Sequence, residues 1–96
     1  MIVRYRARAL SDLQEIFRYL EPRSPAGARN VLRGIHAAIG EIAGFPHSAQ
    51  QTSDADIRVK VLGRYRYKIF YSVVAPDTVE IIHVRHSARR PWPDDE

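Results

Sequence analysis

Ile57-Arg58-Val59-Lys60-Val61-Leu62-Gly63-Arg64-Tyr65-Arg66-Tyr67-Lys68-Ile69-Phe70-Tyr71-Ser72-Val73-Val74 alternates apolar with polar side chains almost throughout, and Gly63-Arg64 interrupts it. Side chains on a strand point to opposite faces in turn, so this stretch predicts two strands, near 57–62 and 65–74. Gly63-Arg64 turns the pair. Ala75-Pro76-Asp77 turns into a third strand near 78–85. Tyr65, Tyr67, Ile69, Tyr71 and Val73 share one face of the middle strand, and Arg66, Lys68, Phe70 and Ser72 share the other. Hydrophobicity assigns Val59 and Val61 to the apolar face, which leaves Arg58 and Lys60 on a basic one. The third strand is apolar on both faces (Val79 and Ile81; Ile82 and Val84), which predicts a central position.

Upstream, residues 2–8 also alternate: Val3, Tyr5 and Ala7 against Arg4, Arg6 and Arg8. This reads as a first strand whose arginines discourage edge pairing. Ser11-x-x-Gln14 has the form of a capping box, with Asp12 and Glu15 in the first turn that would follow. Leu13, Ile16, Phe17 and Leu20 then recur at helical spacing up to Pro22. Ser24-Pro25 opens a second helix with Ala28, Val31, Leu32, Ile35, Ile39 and Ile42 as its apolar stripe, ended by Gly44 and Pro46. Gly34 and Gly40 weaken that helix and make room for a close neighbour. Residues 47–56 are polar, without periodicity, and read as a loop. The order is β-α-α-β-β-β: an α+β fold, a helical hairpin packed on a small, mainly antiparallel sheet.

Ninety-six residues make one domain, 1–96, with Pro93-Asp94-Asp95-Glu96 as an acidic end of the kind left unstructured at termini. No apolar run reaches the roughly 20 residues of a membrane span. Without cysteine there are no disulfides or thiolate metal sites, as suits the cytoplasm. The positive charge is concentrated: residues 57–90 hold eight Lys/Arg against Asp77 and Glu80, while the whole chain is only +4. A basic sheet face suits an acidic or nucleic-acid-associated target.

No metal site is expected, since His83 and His86 face opposite ways on a strand and no other ligand spacing occurs. No cofactor, Gly-rich phosphate loop or Ser/His/Asp grouping is recognisable. His86, beside Arg85, Arg89 and Arg90, is the one residue suited to proton transfer near neutral pH, and it is equally a strand-end histidine bonded to backbone. Arg58, Lys60 and Lys68 can clamp a phosphate chain.

Ala9-Leu10-Ser11-Asp12-Leu13-Gln14-Glu15-Ile16, the helix ending in Phe45-Pro46, Tyr67-Lys68-Ile69-Phe70-Tyr71-Ser72-Val73 and Val79-Glu80-Ile81-Ile82-His83-Val84-Arg85-His86-Ser87-Ala88-Arg89-Arg90 occur together in this order. Over roughly residues 2–92 the chain resembles a ParE-type toxin of the RelE/ParE toxin–antitoxin superfamily, the plasmid stabilisation proteins. The resemblance implies a cytoplasmic bacterial toxin that poisons DNA gyrase without hydrolysing a substrate, needs no cofactor or small molecule, and is neutralised by a ParD-like antitoxin. The RelE branch instead cuts mRNA on the ribosome, with basic residues on the open sheet face and a tail residue, often tyrosine, for proton transfer. Arg58, Lys60, Lys68 and Arg89 fit those basic positions, but no tyrosine follows Tyr71, so His86 and Arg89 are catalytic candidates only on that reading. A non-enzymatic nucleic-acid-binding module is the third reading, with Phe70 the aromatic expected on the basic face.

The expected target contacts are Arg85, His86, Arg89, Arg90 and Trp92, because Trp and Arg dominate interface energies; Trp92 serves equally as a cover for the core. Arg58, Lys60, Arg66 and Lys68 form the expected open basic face. The helix stripes exceed what one small sheet covers, so Leu13, Phe17, Leu20, Val31, Ile35 and Ile39 are the expected antitoxin contacts.

Overall fold

The structure is a computed structural model, and it describes residues 1–87. The elements are β1 (Ile2–Tyr5), α1 (Ala7–Leu20), α2 (Pro25–Gly44), β2 (Gln50–Gln51), β3 (Arg58–Leu62), β4 (Tyr67–Ala75) and β5 (Thr78–His86). The five strands lie in the order β1-β5-β4-β3-β2. β1 runs parallel to β5, and the other neighbours are antiparallel. The helices cover one face. The β-α-α-β-β-β order and the central place of β5 agree with the sequence reading. β2, inside the stretch read as loop, adds a short edge strand on β3.

The core lies between α2 and the two central strands. Ile69, Tyr71, Val79 and Ile81 are fully buried, against Ile16 of α1 and Val31, Ile35, Ile39 and Ile42 of α2. Each such side chain contributes about 1.5–3 kcal/mol of burial. α2 begins as expected: Ser24 accepts from the Gly27 amide (3.0 Å), and Pro25 occupies the first turn. Gly34 allows a close approach, since a Cβ there would stand 3.1 Å from the Tyr65 ring, which the β3–β4 turn folds against α2.

α1 corrects the sequence reading. The helix starts at Ala7, so β1 stops at Tyr5 instead of Arg8, and Arg6 occupies the cap without a side-chain bond. Ser11 lies inside the helix and is no cap. Asp12 is buried, and its Oδ2 accepts from the Val84 amide at 2.9 Å. The cause is topological. β1 ends opposite Ile81, so β5 has no strand neighbour there, and Asp12 supplies the acceptor that a longer β1 would have supplied.

The faces of β3 are also the reverse of the expectation. Arg58 pairs with Tyr71, Lys60 with Ile69 and Leu62 with Tyr67, all core-facing partners, whereas Val59 pairs with Phe70 and Val61 with Lys68. Directly opposed residues share a face. Arg58 and Lys60 therefore belong to the helix side and the two valines to the open side. The pairing between β4 and β5 slips at Phe70/Tyr71, where Ile82 is the extra residue, and again at Val73/Ala75.

Candidate functional site

Two surfaces combine exposure with chemistry. The first is the open sheet face. Lys68 and Arg85 are opposed across β4 and β5, as are Phe70 and His83. The Phe70 and His83 rings stack at 4.2 Å and 12°, and the Arg85 guanidinium lies 5.7 Å from the Phe70 centroid. Val59 and exposed Val61 extend this patch, and the 50–54 segment with Ile57 forms its polar wall. Farther along the same face, Arg6 bonds Glu80 at 2.9 Å. His83 was not expected here: strict alternation sets it on the face of Val79 and Ile81, and the bulge at Ile82 moves it to the face of Phe70.

The wall is held from the other side of the sheet. Arg58 donates to the carbonyls of His47 (3.1 Å) and Ala49 (2.7 Å), and the Tyr71 hydroxyl donates to the Pro46 carbonyl (2.6 Å). On the open side, Ser72 donates to the Asp56 carbonyl. Burial pushes the Tyr71 phenol above its ordinary value, and the Arg58 charge and the backbone at Ala49 oppose that rise. The phenol thus stays protonated, as a donor must. Lys60 pairs with Glu41 of α2 at 2.7 Å.

The expected basic face is therefore divided. Lys68 and Arg85 occupy the open side, while Arg58 and Lys60 are engaged on the helix side. Arg66 sits in the turn at φ 63°, and its carbonyl accepts from Ser87 N and Oγ, each at 2.6 Å. His86 is opposite Tyr67 on the helix side, with its ring edge-on at 4.9 Å, so it is not gathered with Lys68 and Arg85. Arg89, Arg90 and Trp92, like the 93–96 acidic end, lie outside the described residues. Among the described residues no three His, Cys, Asp or Glu side chains gather as a metal site would require, and no helix is long and apolar enough to cross a membrane.

The second surface is a groove on the helical hairpin. Leu13 and Phe17 of α1 and Leu32 of α2 form its apolar floor, with Gln14, Arg18 and Glu21 at the rim. Phe17 is 44% exposed, and Leu10, 49% exposed, lies about two turns before it. The other expected antitoxin contacts are placed differently. Leu20 is half-buried against the core, and Val31, Ile35 and Ile39 are within it at 7% exposure or less. Their stripe faces the sheet, so the side chains left to a partner in this conformation are those nearer the α1–α2 seam.

The profile of a family described as the ParE toxin of the type II toxin–antitoxin system parDE matches residues 3–91. Y4kP of Sinorhizobium fredii, provisionally named a toxin, is 34% identical over 91 residues, covering 95% of this chain and 92% of that protein. Among solved structures, a chain of the chromosomal ParDE toxin–antitoxin system from P. aeruginosa superposes with a TM-score of 0.64 at 14% identity, covering 90% of this chain and 95% of that one. The isolated E. coli RelE toxin superposes with 0.63 at 15% identity, covering 93% and 86%. The two structures share the fold of this chain; the family match and the Y4kP identity establish the relationship. The chain belongs to the ParE toxin family of type II toxin–antitoxin systems.

Proposed function

We propose that this toxin acts in the cytoplasm on DNA gyrase, without hydrolysing a substrate, and that a ParD-like antitoxin neutralises it by laying an amphipathic helix into the Leu13–Phe17–Leu32 groove. The β3 register carries the choice of target. An mRNA-cutting site needs several cations and a proton carrier converging on one open face. Here Arg58 is bonded to loop carbonyls, Lys60 to Glu41, and His86 packs on Tyr67, all on the helix side. The open face keeps Lys68 and Arg85 around a stacked ring pair and two valines, which suits protein contact better than phosphate chemistry.

The purified chain is added to gyrase in a supercoiling assay, in parallel with primer extension on cells expressing it. Loss of supercoiling with accumulated cleaved DNA, and no induced mRNA cuts, is the expected result. Unimpaired gyrase together with positioned mRNA cuts overturns the proposal in favour of a RelE-like nuclease. For the antitoxin, Phe17→Ala weakens binding while gyrase inhibition persists; equal affinity for the variant removes the groove from the interface.

A further inference from the structure

A second cleft flanks α2. Its floor is Gly34, Ala37 and Ala38, and its far wall is the β3–β4 turn with Leu62 and Tyr65. At about 100° per residue, Arg33, Ala37 and Glu41 lie about 100°, 140° and 180° around the helix from Leu32 in the apolar groove. The groove and the cleft therefore border α2 on opposite sides of its buried stripe. The cleft is charged. Arg33 and Arg64 are exposed at one end, Arg33 beside the Asn30 amide oxygen at 3.3 Å and Arg64 at 5.5 Å from the Tyr65 centroid. At the other end Glu41, the one carboxylate lining the cleft, is engaged with Lys60 at 2.7 Å. Three cations against one acid leave two positive charges facing a trough lined by Ala37 and by the Tyr65 ring packed on Gly34.

We propose that this cleft receives an acidic peptide segment, and that the segment belongs to the antitoxin, continuing from the apolar groove over α2. The assignment of the occupant rests on the antitoxin reading above. Charge complementarity selects the chemistry. Arg33 and Arg64 offer planar forks to carboxylates, and exposed Ala37 puts no long side chain in the way of a peptide backbone. An incoming carboxylate competes with the exposed Glu41 for Lys60. A polynucleotide fits less well, because its charge recurs at every phosphate and the cleft lining offers no cation beyond Arg33, Arg64 and Lys60. The distance is short. Half the girth of a helix is crossed by about five extended residues, so one chain can fill both depressions.

A short fluorescein-labelled peptide of alternating Glu and Ala tests the chemistry, with a single-stranded oligodeoxynucleotide of equal charge as competitor. Arg33→Glu/Arg64→Glu is compared with the charge-matched Arg4→Glu/Arg23→Glu. The expected result is about tenfold weaker peptide binding for the cleft variant and a change below about twofold for the control. Equal losses in both, or an oligonucleotide that displaces the peptide and is itself lost in the cleft variant, overturn the proposal. The antitoxin encoded beside the toxin gene then tests the occupant. About tenfold weaker binding to the cleft variant, with a shallower salt dependence, supports it. Binding that Phe17→Ala weakens and the cleft variant leaves intact removes the cleft and keeps the groove. Absence of binding to the unaltered chain overturns the antitoxin reading itself, and the peptide measurement still decides whether the cleft prefers acidic chains.

Discussion

Asp12→Ala removes the acceptor of a backbone N–H that β5 cannot satisfy elsewhere in the fold. Asp12 is 4% exposed and Val84 1%, so water does not replace the lost oxygen. An orphaned buried donor costs about 1–3 kcal/mol, and a bond to a charged acceptor is at the upper end of that range. Alanine returns about 0.6 kcal/mol as the better helix former. The expected net loss is about 2 kcal/mol, which in a domain of this size lowers Tm by about 8–16 °C. Ser11→Ala is the control. Ser11 is exposed inside α1 and caps nothing, so the change is neutral or stabilising by up to about 0.5 kcal/mol. Both variants are read by far-UV circular dichroism in urea, where a shift in midpoint at constant slope isolates stability. A Ser11→Ala loss of about 1 kcal/mol, the value of a true cap, with Asp12→Ala unchanged, would refute this account of the α1 start.

Further outcomes follow from the packing and the register. Gly40→Ala, with no atom within 4 Å of the new Cβ, raises stability by up to about 1 kcal/mol, whereas Gly34→Leu lowers Tm because Tyr65 occupies the space. Tyr71 has a raised folded pKa, so folding holds its proton more tightly; its stabilisation is complete below the ordinary tyrosine value of about 10 and declines as pH rises from there through the folded value. Tyr71→Phe flattens that alkaline decline in urea midpoints measured against pH and costs about 1 kcal/mol for the bond to Pro46. Lys60→Ala, which gives up a half-exposed pair with Glu41, keeps full toxicity on induction, whereas a nuclease using Lys60 would lose it.

The helical hairpin, the α2 cap and the central β5 were legible because each rests on a local rule: a 3.6-residue stripe, a serine before proline, a run of apolar residues in one strand. The bulge at Ile82 nevertheless sets Val84 on the core face with Val79 and Ile81, so β5 is not apolar on alternate faces as expected. The faces of β3 were legible too, but in a different signal. The β3–β4 loop spans Gly63 to Arg66, and Leu62 opposes Tyr67. A turn two residues shorter would set Leu62 opposite Tyr65. Both put a core-face tyrosine across from Leu62, so parity alone places Arg58 and Lys60 on the helix side. Polarity pointed the other way and misled, because β3 lies near the sheet edge. There long cationic side chains reach past the core to the loop carbonyls and to Glu41, while Val61 is left 54% exposed. Asp12 was hidden for a related reason. Its partner is 72 residues away and exists only because β1 is short. The stacking of His83 on Phe70 likewise depends on the β4–β5 register, which a bulge at Ile82 resets.

The parallel pairing of β1 with β5 ties the two strands farthest apart in the described sequence, with Ile2 beside Thr78 and Tyr5 beside Ile81. A nascent chain leaving the ribosome can form α1, α2 and the β3–β4 hairpin while the N-terminal strand still has no neighbour. Asp12 likewise waits for Val84. Contacts of such long sequence separation close late and slowly. Vectorial synthesis therefore imposes a delay: the five-stranded sheet is incomplete until β5 is translated. During that interval the α1–α2 hairpin can form, and the groove proposed for the antitoxin is lined wholly by residues of that hairpin.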